Sequence, residues 1–125
     1  MKKLFTFFLA FIASAGSLFA ETIFSESFSS SQGSFTIVNK TLPSGCAFVW
    51  KWRSADYGMV ASAYKNNTNY ATESWLISPS ISLANYSEAT LCFDHACNKG
   101  VPDNLRVKIS KDNGVNWHDL SISQW

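Results

Sequence analysis

Short segments in which apolar and polar side chains alternate recur along the chain, and this period of two limits its fold most strongly. Phe35 and Ile37 share one face of a predicted strand, and Phe48, Trp50 and Trp52 share one face of another. No window has the sustained i, i+3, i+4 apolar spacing of an amphipathic helix. The pattern predicts an all-β, antiparallel β-sandwich, with strands over 22–28, 34–38, 47–52, 58–64, 73–78, 88–95 and 105–110 and a polar loop over 65–69.

The composition is that of an ordinary folded domain. The chain has 125 residues, of which 15% are aromatic and 15% charged, and a formal net charge of +1. This aromatic content and low charge exclude an intrinsically disordered chain. The near-neutral balance argues against a nucleic-acid partner, because such proteins carry a surplus of basic residues. The length allows one domain.

Residues 1–20 have the three parts of a secretory signal peptide. Lys2 and Lys3 form a basic start, an apolar run follows over 4–12, and small residues precede Glu21. This order is typical of an export signal. The apolar run is shorter than the ~20 residues of a membrane-spanning helix, so we expect no membrane span in the mature chain.

Cleavage of this signal fits after Ala15 or after Ala20. We favour Ala20, because Glu21 opens a strand-like segment. The sequence therefore predicts a protein that is secreted or held at the cell surface, with a single domain over 21–125.

Residues 110–117 contain the most specific local motif. Ser110, Asp112, Gly114 and Trp117 match S-x-D-x-G-x-x-W, the Asp-box hairpin, at all four defined positions. A carboxylate at this point can accept hydrogen bonds from backbone amides across a turn, and the glycine allows the positive φ that the turn needs. We interpret the motif as structural, because Asp-boxes in secreted β-proteins usually lie away from the catalytic centre.

Residues 73–83 read ESWLISPSISL and resemble a segment of the choice-of-anchor J and cleaved-adhesin domains. Residues 25–28 (SESF), residues 89–95 (ATLCFDH) and the Asp-box agree with that family in order. Its members are MAM-like jelly-roll modules of secreted Bacteroidetes proteins. The resemblance implies a jelly-roll β-sandwich with an adhesin-type function, and calcium as a cofactor known in relatives.

The sequence departs from that family at two places. An acid often follows the opening Ser-Phe pair, whereas this chain has Ser29, so Glu26 is the remaining candidate calcium ligand there. The family also continues beyond the Asp-box with further strands, whereas this chain stops at Trp125. We therefore expect either a truncated domain, which we favour, or a partner strand or domain that covers the open edge of the sandwich.

Cysteine and histidine residues leave redox and metal alternatives open. In an exported chain we expect a disulfide between Cys46 and either Cys92 or Cys97, unless all three thiols stay reduced and buried. The C-x-D-H-x-C run over 92–97 suggests zinc. Alternation places its side chains on opposite faces, however, which opposes tetrahedral ligation. No catalytic signature surrounds any cysteine–histidine pair, and we expect no enzymatic activity.

The sequence is most consistent with a non-catalytic adhesin-type module that binds an extracellular glycan or a surface protein. Loops 43–46, 65–72 and 98–104 are expected to form its recognition surface, with Trp52 and Tyr70 as exposed rings. The alternative is an accessory domain of a secreted peptidase or other hydrolase, separated from its catalytic part.

Overall fold

The computed structural model describes residues 21–96 and 105–122. In those ranges all strand pairs are antiparallel and no helix occurs, so none there could cross a membrane. The all-β prediction is confirmed. The strands are β1 Thr36–Thr41, β2 Trp50–Ser54, β3 Gly58–Ala61, β4 Tyr64–Lys65, β5 Thr68–Asn69, β6 Glu73–Ile77, β7 Lys108–Ile109 and β8 His118–Asp119.

Strand β1 pairs with β6, which comes much later in the sequence. Thr36 lies opposite Ile77, and this pairing, the β1–β6 ladder, continues to the other end of β1. Ser74 Oγ donates a hydrogen bond to Asn39 Oδ1 at 2.6 Å across the pair. The register shifts after Asn39, which makes Lys40 the extra residue of a β-bulge. A bulge re-aims the side chain that it carries.

Strands β2 and β3 form a hairpin. The Tyr57 N–H donates to the Ser54 carbonyl at 3.2 Å and closes the turn. Gly58 follows with a φ of 61°, a conformation that glycine adopts without steric cost. Here too the register shifts, and Arg53 is the extra residue. The β1–β6 and β2–β3 pairs therefore each contain a bulge whose extra residue is basic.

Strands β4 and β5 form a tight hairpin where a polar loop over 65–69 was expected. Lys65 lies opposite Thr68, and only Asn66 and Asn67 connect them. Both asparagines have positive φ, 48° and 61°, which is the geometry of a two-residue type I′ turn. The loop prediction is wrong here because asparagine tolerates this conformation and so permits pairing.

Two predicted strands have no pairing partner among the described residues. Residues 22–28 form no ladder within 21–96 and 105–122, and Phe28 has a left-handed φ of 52° that ends the extended geometry. The Phe28 ring instead stands edge-on to Phe35 with the centroids 5.0 Å apart. Residues 88–95 form no strand with any other residue that is described. Strand propensity is present in both segments, but it does not by itself provide a pairing partner.

The core within the described ranges is small. Cys46 and Val49 are its buried hydrophobic side chains. Many other large apolar side chains are exposed, among them Ile81, Leu83, Leu91, Phe93 and Leu105. The described strands therefore form thin, two-stranded sheets with much apolar surface uncovered.

Candidate functional site

Strand β2 has cations on one side and indole rings on the other. Lys51 and Arg53 are exposed, whereas Trp50 and Trp52 are half-buried. Successive side chains of a strand point to opposite faces. The solvent side of β2 is therefore basic.

Hydrogen bonds to the main chain hold the two tryptophans of β2. Trp50 Nε1 donates to the Ser74 carbonyl at 3.1 Å, and Trp52 Nε1 donates to the Phe28 carbonyl at 2.8 Å. Each bond ties β2 to a distant segment. Trp52, which the sequence predicts to be an exposed binding ring, is thus half-buried with its polar atom engaged. Its role in binding stays a prediction.

The Phe48 ring brings together two lysines from different strands. Lys65 Nζ lies 4.0 Å and Lys51 Nζ 4.8 Å from the ring centroid. Both distances are in the range of cation–π attraction, and they place the two nitrogens within about 9 Å of each other. No carboxylate in the described ranges forms an ion pair with either lysine.

A second cation–ring pair lies at the other end of β2. The Arg53 guanidinium is 4.0 Å from the centroid of the Tyr57 ring, and Tyr57 is 60% exposed. Asp56, in the adjoining turn, is exposed and forms no ion pair with a cation of the described residues. We name this surface the basic aromatic face; it consists of Phe48, Lys51, Arg53, Tyr57 and Lys65.

Two of the loops predicted to form the recognition surface, 43–46 and 65–72, are in contact. The Tyr70 hydroxyl lies so close to Gly45 that a Cβ there would collide with it. Glycine at this position therefore makes room for the ring. Tyr70 is half-buried, and its role in binding also stays a prediction. The third loop, 98–104, lies outside the described residues.

Side chains of the Asp-box close the turn between β7 and β8. Asp112 Oδ1 accepts from the Asn116 N–H at 2.8 Å, and Oδ2 accepts from Asn116 Nδ2 at 2.6 Å. Ser110 Oγ accepts from the Gly114 N–H at 2.7 Å and donates to Asp112 Oδ1 at 2.8 Å. Trp117 Nε1 donates to the Gly114 carbonyl at 2.9 Å. Gly114 has a φ of 86°. The turn is therefore held within its own eight residues.

These bonds lower the pKa of Asp112 to about 2, first through the Asn116 N–H, then through the Asn116 side-chain amide and the Ser110 hydroxyl. In the same hairpin, Lys108 Nζ of β7 lies 2.7 Å from Asp119 Oδ1 of β8 and lowers the pKa of the Asp119 carboxyl. A general base works best with a pKa near the operating pH. Asp112 and Asp119 are thus suited to hold the hairpin and not to accept protons near neutrality.

The Asp-box hairpin meets the β1–β6 ladder at two indole rings. Trp117 stands edge-on to Trp75, with the centroids 5.3 Å apart and an interplanar angle of 89°. Lys40 Nζ and Lys108 Nζ lie 5.2 and 5.9 Å from the centroid of the Trp75 ring. Trp75 Nε1 donates to Glu73 Oε1 at 2.8 Å. Trp75 therefore joins the two parts of the molecule.

Glu26, the predicted calcium ligand, holds the main chain in this structure. Its Oε1 accepts from the Phe28 N–H at 2.8 Å. The carboxylate also lies against Gly33, which has a φ of 59° and no side chain to collide with it. Across the described residues no three His, Cys, Asp or Glu side chains come together as a metal site. Calcium usually takes about six to eight oxygen ligands, and its binding at Glu26 stays a prediction that a chelator-induced fall in Tm would support.

The two cysteines in the described ranges are free thiols, so no Cys46–Cys92 bridge is present. Cys46 is only 1% exposed, and its Sγ donates to the Phe48 carbonyl at 3.3 Å. Cys92 is exposed, and Cys97 lies outside the described residues. Cys46 therefore packs as a small hydrophobic residue next to Phe48 of the basic aromatic face.

The cations beside these aromatic rings are not among the residues that the sequence predicts for the site. A usable signal was present for two of these residues, because Lys51 and Arg53 occupy alternate positions next to Trp50 and Trp52. Lys65 could not be placed in the same way, since its position depends on the asparagine turn that follows it.

Comparison with known proteins gives no match. No family model matches the chain, no curated protein matches it significantly, and neither does any solved structure. The candidate site therefore rests on its own geometry.

Proposed function

We propose that this chain is a secreted, non-catalytic binding module of the adhesin type, which recognises a carbohydrate or a protein at a cell surface. The contact between loops 43–46 and 65–72, made by Tyr70 and Gly45, carries the proposal. It brings two connecting segments into one surface, next to the Phe48 ring and the Lys65 cation over it. Loops positioned on a strand scaffold commonly form binding sites. The three-part pattern of residues 1–20 supports export.

We also propose that the small sheets belong to one jelly-roll-like β-sandwich whose edge is covered by a further strand or domain. The apolar side chains left exposed support this arrangement, because soluble domains rarely expose a large continuous apolar surface. They include Ile81, Leu83, Leu91, Phe93 and Leu105. Covering the edge would also satisfy its unpaired backbone groups.

A glycan array together with a pull-down from cell-surface extracts tests the binding function. Tyr70→Ala removes the ring that joins the two loops. Tyr86→Ala is the matched control, because Tyr86 is exposed elsewhere and its hydroxyl donates to Glu21 Oε2 at 2.8 Å. We expect Tyr70→Ala to weaken binding by roughly tenfold, the effect of losing an aromatic anchor, and Tyr86→Ala to leave it unchanged.

Gly45→Ala offers a second route to the same result, because its methyl group would displace the Tyr70 ring. We expect it to weaken binding as well. An empty array and an empty pull-down from a sample that is folded by circular dichroism would contradict the proposal. Equal losses in the Tyr70 and Tyr86 variants would contradict the assignment of the site.

A further inference from the structure

We propose that the basic aromatic face binds an acidic glycan, a polymer whose sugars carry carboxylate groups. This inference rests on the proposed binding function and names the class of its ligand. It follows from two cation–ring clusters, one at each end of β2: Lys51 and Lys65 meet over Phe48, and Arg53 lies over Tyr57.

Positive charge is concentrated on this face. Between residues 21 and 96 the lysine and arginine residues are Lys40, Lys51, Arg53 and Lys65, and all except Lys40 lie on the face. The ion pairs among the described residues join Asp119 to Arg106 and Lys108, so they involve none of the face's cations. Positive charge concentrated on one surface attracts an anionic ligand and raises its rate of association.

The aromatic rings hold these cations in place before a ligand arrives. Lys51 and Lys65 converge on the Phe48 ring, and the bulge at Arg53 directs its guanidinium over the Tyr57 ring. Side chains that are already ordered lose less conformational entropy on binding. The face is therefore prepared for anionic groups at two neighbouring positions.

The pairing of cation and ring favours an acidic sugar over an acidic peptide. The Arg53 guanidinium lies over one face of the Tyr57 ring, so the C–H face of a sugar can pack on the other face, and a carboxylate on that sugar can reach around the ring toward the cation. Tyr57, at 60% exposed, has ring surface available for such packing. An acidic peptide offers carboxylates on flexible stems without an adjoining apolar face.

Binding to polygalacturonate, to its methyl ester and to poly-L-glutamate, measured with the purified full chain, tests the inference. The ester has the same backbone without charge, and the polypeptide has charge without sugar. We expect binding to polygalacturonate alone, weakening as salt is raised because salt screens exposed charges. The double variant Lys51→Gln/Lys65→Gln should bind it roughly tenfold more weakly.

The matched control is Lys40→Gln/Lys111→Gln, which removes the same charge and also one cation–π contact, that of Lys40 with Trp75. It should bind like the unmodified chain, and Lys51→Arg/Lys65→Arg should restore binding. Should the glutamine pair fail to fold, Arg53→Gln alone tests the other end of the face.

Equal binding to the methyl ester or to poly-L-glutamate would overturn the inference, as would equal losses in the test and control pairs. Absence of binding to polygalacturonate overturns it too. The proposed function then still stands if the array shows a neutral glycan or the pull-down a protein. The proposed function is contradicted together with this inference only when polygalacturonate, the glycan array and the pull-down all show no binding.

Discussion

The Asp-box hairpin and the β1–β6 ladder are held together in opposite ways. In the hairpin, Ser110, Asp112 and Trp117 make their hydrogen bonds within eight consecutive residues. In the ladder, Thr36 pairs with Ile77, so the bonds form only after a long stretch of chain has been brought back. Closing such a loop costs more conformational entropy than closing the short loop of the hairpin.

This difference decides which part depends on the rest of the molecule. The hairpin's hydrogen bonds need no partner outside it, whereas the ladder needs both its strands and the packing that holds them. The two parts touch at Trp75 and Trp117. Substitutions in the ladder should therefore affect global stability more than substitutions in the hairpin.

The largest expected effect is that of Trp75→Ala. The change removes the contact with Trp117, the cation–π contacts of Lys40 and Lys108 and the hydrogen bond to Glu73. Because the ring is half-buried, we expect a loss of about 2–3 kcal/mol, below the usual cost for a fully buried ring. Thermal unfolding should show a fall in Tm of about 10 °C or more.

Trp75→Phe keeps an aromatic ring and should lose clearly less stability than Trp75→Ala. A cycle with Trp117→Ala then isolates the ring contact, for which we expect a coupling of about 0.5–1.5 kcal/mol. Strictly additive losses would show that the hairpin and the ladder are energetically separate. The contact between Trp75 and Trp117 would then not couple the two parts.

A smaller effect is expected from Asp112→Ala. The variant removes the acceptor of both Asn116 bonds and of the Ser110 hydroxyl. Loss of such a cap should lower Tm by roughly 4–8 °C. Asp56→Ala, in the β2–β3 turn, is the control and should change Tm little. A Tm that falls as far as in Trp75→Ala would mean that the hairpin is not the more autonomous part.

The same difference explains what the sequence could predict. The Asp-box motif indicates its turn because each partner is within reach of its neighbours along the chain. The alternation of apolar and polar residues predicts β1, β2, β3 and β6 close to their observed positions, but it does not show which strand pairs with β1. For this reason 22–28 and 88–95 also read as strands, although they pair with no described residue.

The site shows the same limit. Trp52 and Tyr70 are aromatic residues next to polar segments, which predicts exposed rings. In the structure an indole hydrogen bond draws Trp52 toward Phe28, and the absence of a side chain at Gly45 admits Tyr70. Neither effect has a signal in local sequence, since each depends on a residue brought close by folding. The bulges that aim Lys40 and Arg53 over rings depend on register in the same way.

The smallest expected effect is a pH dependence confined to the hairpin. The pKa of Asp112 is about 2 in the folded chain, below its unfolded value near 4. The unfolded state therefore takes up the proton first, so the stabilisation is fully present above about pH 4 and is lost as the pH falls toward 2. Asp119, whose pKa Lys108 lowers, contributes in the same direction. We expect the difference in Tm between the unmodified chain and Asp112→Ala to shrink by about half or more across this window.

The difference in Tm between the unmodified chain and Trp75→Ala serves as the reference for that measurement. Its main contacts are a ring pair and two cation–π contacts, none of which involves a carboxylate, so it should change less between pH 4 and pH 2. Glu73, which accepts the Trp75 indole hydrogen bond, is the carboxylate among the partners of Trp75 described above. Replacing it with glutamine keeps an acceptor and removes the carboxylate. If the two differences in Tm shrank in parallel even in the Glu73→Gln background, acid would be destabilising the molecule as a whole. The carboxylate of Asp112 would then not hold its turn independently of the ladder.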